Sequence, residues 1–260
     1  MRRPIGIFDS GVGGTSIWKE IRKKLPFEDT VYLADSKNAP YGTKSAEEIL
    51  ELSIKNTELL LSKDCKLIVV ACNTATTNAI SYLRKNFEVP FIGIEPAIKP
   101  AALHTKTKKV GVLATKGTLA SSLFYNTSKL YAEGITVLEQ EGKGLVELIE
   151  AGKEDSDETK ALLKKYLEPM LDSQIDCLVL GCTHYPYLIP ILKTMLPENI
   201  QIIDSGEAVA RQTHTILEKD GLLKSPSTEK GKSIFYTNSD TQILHGFVNA
   251  KGAVIDYFEF

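Results

Sequence analysis

Short apolar runs rich in β-branched residues alternate with longer stretches of helical spacing along nearly the whole chain, and the series runs through twice. In the first series "PIGIFDSG" reads as a strand ending in a glycine loop, and "TSIWKEIRKKL" as a helix with Ile17, Trp18, Ile21 and Leu25 on one face. "TVYLAD" is a second strand. "SAEEILELSIKNTELLLSK" is a long helix opened by Ser45 with Glu48 three residues on, a capping-box pattern. "CKLIVVAC" is apolar throughout, as expected of a parallel strand buried on both faces. A helix, "ATTNAISYLRKNF", and a strand, "PFIGIEP", complete it. The second series begins at "KKVGVLAT", continues through "LASSLFYNTSKL", "ITVLEQEG", "GLVELIEAG", "ETKALLKKYLEPMLDS", "DCLVLGC" and "YLIPILKTML", and ends with "IQIIDSGEAVARQTHTILEKDGLL". One more helix and two extended pieces close the chain.

This alternation predicts an α/β fold with mainly parallel sheets flanked by helices. Two series in 260 residues predict two pseudo-symmetric lobes. "DCKLIVVAC" and "DCLVLGC" match as a weak internal repeat. The expected division is residues 1–98 plus 205–260 for the first lobe and 99–204 for the second. Hinges are expected near Pro96–Pro100 and Asp204–Gly206. Ligands of open parallel sheets bind beyond the carboxyl ends of the strands, so the expected site is a cleft between the lobes.

Composition excludes several classes. Lysine plus arginine is 31 and aspartate plus glutamate 33, so no basic surplus suggests a nucleic-acid partner. The apolar start of the chain is broken at once by Asp9, Ser10 and glycines, unlike a secretory signal, and the longest apolar runs are too short to span a bilayer. No membrane association is expected, and the expected location is the cytoplasm. There the four cysteines, Cys65, Cys72, Cys177 and Cys182, are core, metal or catalytic thiols rather than disulfides.

A shared metal fits them poorly. The pairs are separated by six and four residues rather than the two of a zinc knuckle. Cys65 and Cys72 stand at opposite ends of one strand, roughly 23 Å apart at strand rise. Cys65 and Cys177, at strand entries, read as small buried hydrophobes. Cys72 and Cys182 stand at strand exits, followed by Asn73-Thr74 and Thr183-His184. A helix start just beyond each would favour a thiolate and lower the thiol's pKa.

The remaining polar residues at strand ends are weaker signals taken singly. "GVGG" has neither the lysine of a Walker loop nor a dinucleotide spacing, so its glycines read as a tight turn that leaves Asp9 and Ser10 at the strand end. "APYG", Ala39 to Gly42, is a turn by default. His184, two residues after Cys182, is placed to tune that thiol. His104, His214 and His245 read as structural, and Glu150 as an ordinary helical carboxylate.

Taken together, "GIFDSGVGG", "APYG", "ACNTATT", "GIEPAIKPA" and "GCTHYP", in that order and over nearly the whole chain, resemble glutamate racemase. The resemblance implies interconversion of L- and D-glutamate without cofactor or metal, supplying D-glutamate for peptidoglycan, by an enzyme that forms a homodimer. By motif the catalytic cysteines are Cys72, acting on D-glutamate, and Cys182, acting on L-glutamate. Asp9 is implied to assist Cys72, and His184 with Glu150 to assist Cys182. Substrate contacts are implied for Asp9, Ser10, Tyr41, Gly42, Asn73, Thr74, Thr118, Thr183 and His184. Racemisation takes a proton from one face of a carbon and returns one to the other, which accounts for a thiol at the end of a strand in each lobe. Two rivals stand beside this reading: a racemase for aspartate, and a two-lobed binding protein that clamps an amino acid without turning it over.

Overall fold

The computed structural model describes residues 3–226, 228–250 and 252–260. Among the described residues ten strands form two separate sheets, and every pairing is parallel. The first sheet contains β1 (Ile5–Asp9), β2 (Thr30–Ala34), β3 (Leu67–Val70) and β4 (Phe91–Gly93). The second contains β5 (Lys109–Ala114), β6 (Thr136–Glu141), β7 (Cys177–Gly181) and β8 (Gln201–Ile203). The chain then returns to the first sheet with β9 (Ser233–Thr237) and β10 (Val254–Tyr257), giving the order β10-β9-β2-β1-β3-β4 beside β6-β5-β7-β8. The two lobes therefore share a topology: β2-β1-β3-β4 corresponds strand for strand to β6-β5-β7-β8. The cysteine-bearing repeat read from the sequence is β3 and β7, each an interior strand.

Helices cover both faces of each sheet. They are α1 (Thr15–Lys24), α2 (Ala46–Ser62), α3 (Asn73–Asn86), α4 (Ile98–His104), α5 (Lys116–Leu119), α6 (Ser122–Tyr131), α7 (Leu145–Glu150), α8 (Asp157–Asp172), α9 (Ile189–Met195), α10 (Gly206–Lys219) and α11 (Thr241–Phe247). Strand residues alternate between the two layers, as the period of two requires. Ile5, Ile7, Leu67 and Val69 pack in one cluster with Ile17, Ile21 and Leu217 of α1 and α10, whereas Phe8, Ile68 and Val70 pack with Leu60, Ala79 and Leu83 of α2 and α3. The first cluster continues through Val12 to Leu145, Ile149, Leu180 and Tyr185 of the second lobe, so the lobes share one apolar core along this side.

One local expectation is met and one changes. The capping box at Ser45 is present, with Glu48 returning the bond to the Ser45 amide. Within the stretch after Pro96, α4 occupies residues 98–104. "LASSLFYNTSKL" splits into the end of α5 and a separate α6, because Ser121 caps the Phe124 amide and starts a new helix there.

A buried ion pair holds the return of the chain. Lys66, at the entry to β3, donates to Glu28 at 2.6 Å and to the Leu222 carbonyl at 2.7 Å. The other Glu28 oxygen accepts from the Lys224 amide at 2.7 Å. Lys66→Met alone should cost about 3–5 kcal/mol, because it leaves the Glu28 charge buried and unpaired. Adding Glu28→Gln should recover most of that loss while keeping an acceptor for Lys224. Urea unfolding of the single and double variants checks both statements.

Candidate active site

Parallel register brings the strand ends to one level. Phe8 pairs with Val70 and Ala114 with Gly181, so Ser10, Cys72, Thr115 and Cys182 all lie just beyond the carboxyl ends of interior strands. They meet on one small cavity. From the first lobe it is lined by Ser10, Pro40, Tyr41, Gly42, Cys72, Asn73 and Thr74, and from the second by Thr115, Val146, Cys182, Thr183 and His184. Both thiols are free and buried.

The two thiols sit in different surroundings. Cys72 is the N-cap of α3, and its Sγ accepts from the Ala75 amide at 3.4 Å and reaches Ser10 Oγ at 3.7 Å. The sequence reading expected that helix start to lower the thiol's pKa, and the structure reverses the direction. Burial raises it strongly and the Asp9 charge raises it further, while the Ala75 amide offsets only part. Cys72 is therefore a neutral thiol at rest. Beyond Cys182 there is no helix cap: residues 185–188 form a short 3₁₀ turn and α9 starts only at Ile189. Its partner is His184, whose Nδ1 lies 3.7 Å from Cys182 Sγ. Burial works against the His184 imidazolium, but hydrogen bonds to Cys182 and Glu150 outweigh it and hold the pKa well above the usual histidine value.

Glu150 binds both lobes. Its Oε1 is 2.5 Å from His184 Nε2 and accepts from the Val12 amide at 2.7 Å, while Oε2 accepts from Ser36 Oγ at 2.9 Å. The Gly13 amide also approaches His184 Nε2, at 3.3 Å. The much shorter Glu150 contact assigns that nitrogen as a donor, which turns Nδ1 toward Cys182. This explains the glycines better than the tight turn read from the sequence. A Cβ on Gly11 would stand 1.9 Å from Glu150 Oε1, and one on Gly13 2.2 Å from His184 Nδ1. The loop is glycine-rich because the second lobe's carboxylate and imidazole press directly on it.

Asp9 lies behind the cavity wall, fully buried. Its Oδ2 accepts from the Gly14 amide at 2.9 Å and the Gly11 amide at 3.2 Å, and its Oδ1 from Thr183 Oγ1 at 3.2 Å. Burial nevertheless pushes its pKa up to about 6, with the nearby His184 charge and the Gly14 bond pulling the other way. Of the residues singled out from sequence, Thr118 is one step removed: it bonds Thr115 Oγ1 at 3.0 Å, and Thr115 lines the cavity and bonds Thr74 Oγ1. Thr115 was missed, though it stands at a strand end in "VLAT" by the same rule that marked Ser10. Ser36 was missed as well, with no local signal to reveal it. Both side-chain polar atoms of Asn73 are buried without a protein partner, on a residue that lines the cavity, so the site offers an unused amide. Cys65 and Cys177 lie away from the cavity at strand entries, with pKa values pushed up by burial to about 12 and about 11. Among the described residues no group of three or more His, Cys, Asp or Glu side chains is placed to hold a metal ion, and no helix is long and apolar enough to cross a membrane.

Two matched parallel-sheet lobes, each presenting a thiol to one cavity, define an amino-acid racemase, an isomerase. The chain belongs to the Asp/Glu/Hydantoin racemase family, whose sequence model matches residues 6–213. It is 47% identical over 238 residues to the glutamate racemase of Herpetosiphon aurantiacus, covering 92% of this chain and 93% of that protein. A glutamate racemase isoform from Bacillus anthracis superposes with a TM-score of 0.87 at 32% identity, covering 99% of this chain and 98% of that one. The Escherichia coli glutamate racemase, solved with L-glutamate and the activator UDP-MurNAc-ala, gives 0.85 at 35% identity with the same coverage.

Two consequences are measurable. The raised Asp9 pKa stabilises the fold fully below the unfolded value of 3.8, and that contribution is lost as pH rises through about 6. Relative to an Asp9→Asn variant, the wild-type protein should lose about 2 kcal/mol of unfolding free energy between pH 4 and pH 7. Gly13→Ala should fold yet drive His184 from its position, read as a loss of the Cys182–His184 coupling in imidazole NMR titrations.

Proposed function

We propose that the chain interconverts L- and D-glutamate by proton transfer between two cysteines on opposite faces of the α-carbon. The observation that carries this reading is the pair of buried thiols, one from each lobe, on one small cavity. Similarity to glutamate racemases over more than nine-tenths of the chain supports glutamate as the substrate.

The unequal surroundings of the thiols favour one starting state. Cys182 faces an imidazole held charged by its hydrogen bonds to Cys182 and Glu150, so a cation lies beside this sulfur to receive negative charge. Cys72 keeps its proton. In the L-to-D direction the Cys182 thiolate takes the α-proton, and the Cys72 S–H delivers its own proton to the opposite face. The enzyme is left with a Cys182 thiol and a Cys72 thiolate, the state from which the reverse reaction runs. Exchange with solvent restores the first state. Asp9 acts on Cys72 through its charge and through Ser10 at the adjacent position, since it makes no direct bond to the sulfur. Asn73, Thr74, Thr183 and the amides opening residues 41–43 hold the carboxylates and the carbanion-like charge. Exclusion of water from so small a cavity strengthens these contacts.

In this reading the lobes, residues 1–98 with 205–260 and 99–204, open near 96–100 and 204–206 to admit substrate. The enzyme works as a cytoplasmic homodimer, and its D-glutamate enters peptidoglycan synthesis. Binding of an amino acid without turnover would require no proton donors, so the paired thiols favour catalysis over capture.

The decisive assay is deuterium wash-in at the α-carbon of glutamate, with aspartate beside it. Incorporation into glutamate with inversion is expected, at a rate far above that for aspartate. Cys72→Ser and Cys182→Ser should each abolish racemisation, because a serine hydroxyl is seldom ionised. With a glutamate analogue carrying a β leaving group, Cys72→Ser should still eliminate from the L-form through Cys182, and Cys182→Ser from the D-form through Cys72. The same enantiomer preference in both variants would refute the opposed two-base arrangement.

A further inference from the structure

Beneath the loop that carries Pro40, Tyr41 and Gly42 to the cavity lies a closed polar network that the chemistry above does not use. Its centre is Asp35, just after β2 and only 1% exposed. Asp35 Oδ2 accepts from the Tyr41 hydroxyl at 2.5 Å. Asp35 Oδ1 accepts from Asn38 Nδ2 at 2.8 Å and from Asn238 Nδ2 at 2.6 Å. Asn56 of α2 donates to the Tyr41 oxygen at 3.1 Å. Asn238, 3% exposed, comes from the turn after β9, about 200 residues along the chain. Its Oδ1 accepts from the Lys37 amide at 3.0 Å, and its Nδ2 also reaches the Phe260 carbonyl at 3.2 Å.

These bonds fix what Tyr41 can do. Burial and the Asp35 charge raise its pKa well above the ordinary phenol value, so it keeps its proton and spends it on Asp35. With Asn56 donating into the same oxygen, the hydroxyl is engaged both as donor and as acceptor. The ring serves as wall. What the segment offers the cavity is backbone: the Tyr41 and Gly42 amides open a short 3₁₀ helix and have no acceptor within it. Such amides bind a carboxylate only if the backbone is held in place. Asn238 grips the segment at Lys37, and Asp35 grips it at Asn38 and Tyr41. The same segment carries Ser36, which bonds Glu150.

We propose that Asn238, acting through Asp35, is a positioning residue that fixes the substrate loop, so that the last strands of the chain, which line no part of the cavity, set the enzyme's affinity for its amino acid. The proposal rests on the function inferred above. Asn238 touches no reacting atom. Its effect is on binding common to ground state and transition state, which appears in KM and not in kcat.

The test uses the full-length enzyme and three variants, Asn238→Ala, Asp35→Asn and, as a control in the same strand system, Ser233→Ala. Ser233 accepts a buried bond from Thr30 Oγ1 at 3.0 Å, far from the loop in sequence. Two readouts are taken: racemisation kinetics with each enantiomer, and hydrogen–deuterium exchange of the amides of residues 39–43. Asn238→Ala should raise KM about tenfold for both enantiomers with kcat within about twofold, the size of one lost hydrogen bond to a charged group. It should also speed exchange at 39–43, while Ser233→Ala lowers the melting temperature without either effect. Asp35→Asn should act in the same direction where it folds, and Asn238→Ala decides alone where it does not. Unchanged KM or unchanged exchange at 39–43 in Asn238→Ala, or equal changes in Ser233→Ala, would overturn the proposal. A wild-type enzyme inactive on glutamate would instead refute the function, with the exchange data still deciding the positioning role.

Discussion

The carboxylate of Glu150 is the point on which the arrangement of the two lobes depends. It stands at the end of a helix in the second lobe, yet it accepts bonds from Val12 and Ser36 of the first and from its own lobe's His184. Hydrogen bonds to Cys182 and to this carboxylate hold the His184 pKa up against the cost of burial. Contact between the lobes and the protonation of the imidazole beside Cys182 are thus one event. Further bonds follow the same seam: Ser16 Oγ donates to the Thr183 carbonyl at 2.8 Å, and Thr15 and Tyr187 share a short hydroxyl contact. The apolar core that runs from β1 through Val12 to Tyr185 supplies the area behind these polar contacts.

The symmetry of the fold and the asymmetry of the site come from different scales. Two sheets with the same strand order place a thiol at the same relative position in each lobe. Identical surroundings would give two sulfurs with the same protonation state, which serves poorly where one group must accept a proton while the other gives one. Local differences break the tie. Cys72 has an amide, a serine hydroxyl and a neighbouring carboxylate that repels a thiolate, whereas Cys182 has a charged imidazole. The burial that makes charge costly at Cys72 is the same burial that strengthens the His184–Glu150 pair.

Much of the fold was legible because it rests on periodicity. The apolar run "LIVV" has too few residues for a helix and no polar face, so it reads as a doubly covered strand, and it pairs on both sides in the sheet. The capping box at Ser45 is a local bond between residues three apart, so the sequence displays it directly. Where the signal was local but ambiguous, the reading slipped. Nothing in "GCTHYPYL" distinguishes an immediate α-helix from the 3₁₀ turn that separates Cys182 from α9, and at Cys72 burial overrides the helix start that the sequence marks.

The sequence by itself determined the strand ends. Parallel strands of matched length put Asp9, Ser10, Cys72 and Cys182 at one edge, and the ordered motifs, by their resemblance to glutamate racemase, pointed to a two-thiol chemistry there. Only the tertiary structure decided what each group faces. That Gly11 and Gly13 are spaces for Glu150 and His184, that Ser36 completes the Glu150 cradle, and that Asn238 reaches Asp35 under Tyr41 are contacts across 114 to 203 residues of chain. No local pattern encodes them, because hydrogen-bond partners so far apart are chosen by the packing of whole lobes. Burial, which sets the direction of the titration shifts at Asp9 and Cys72, exists only once that packing has formed.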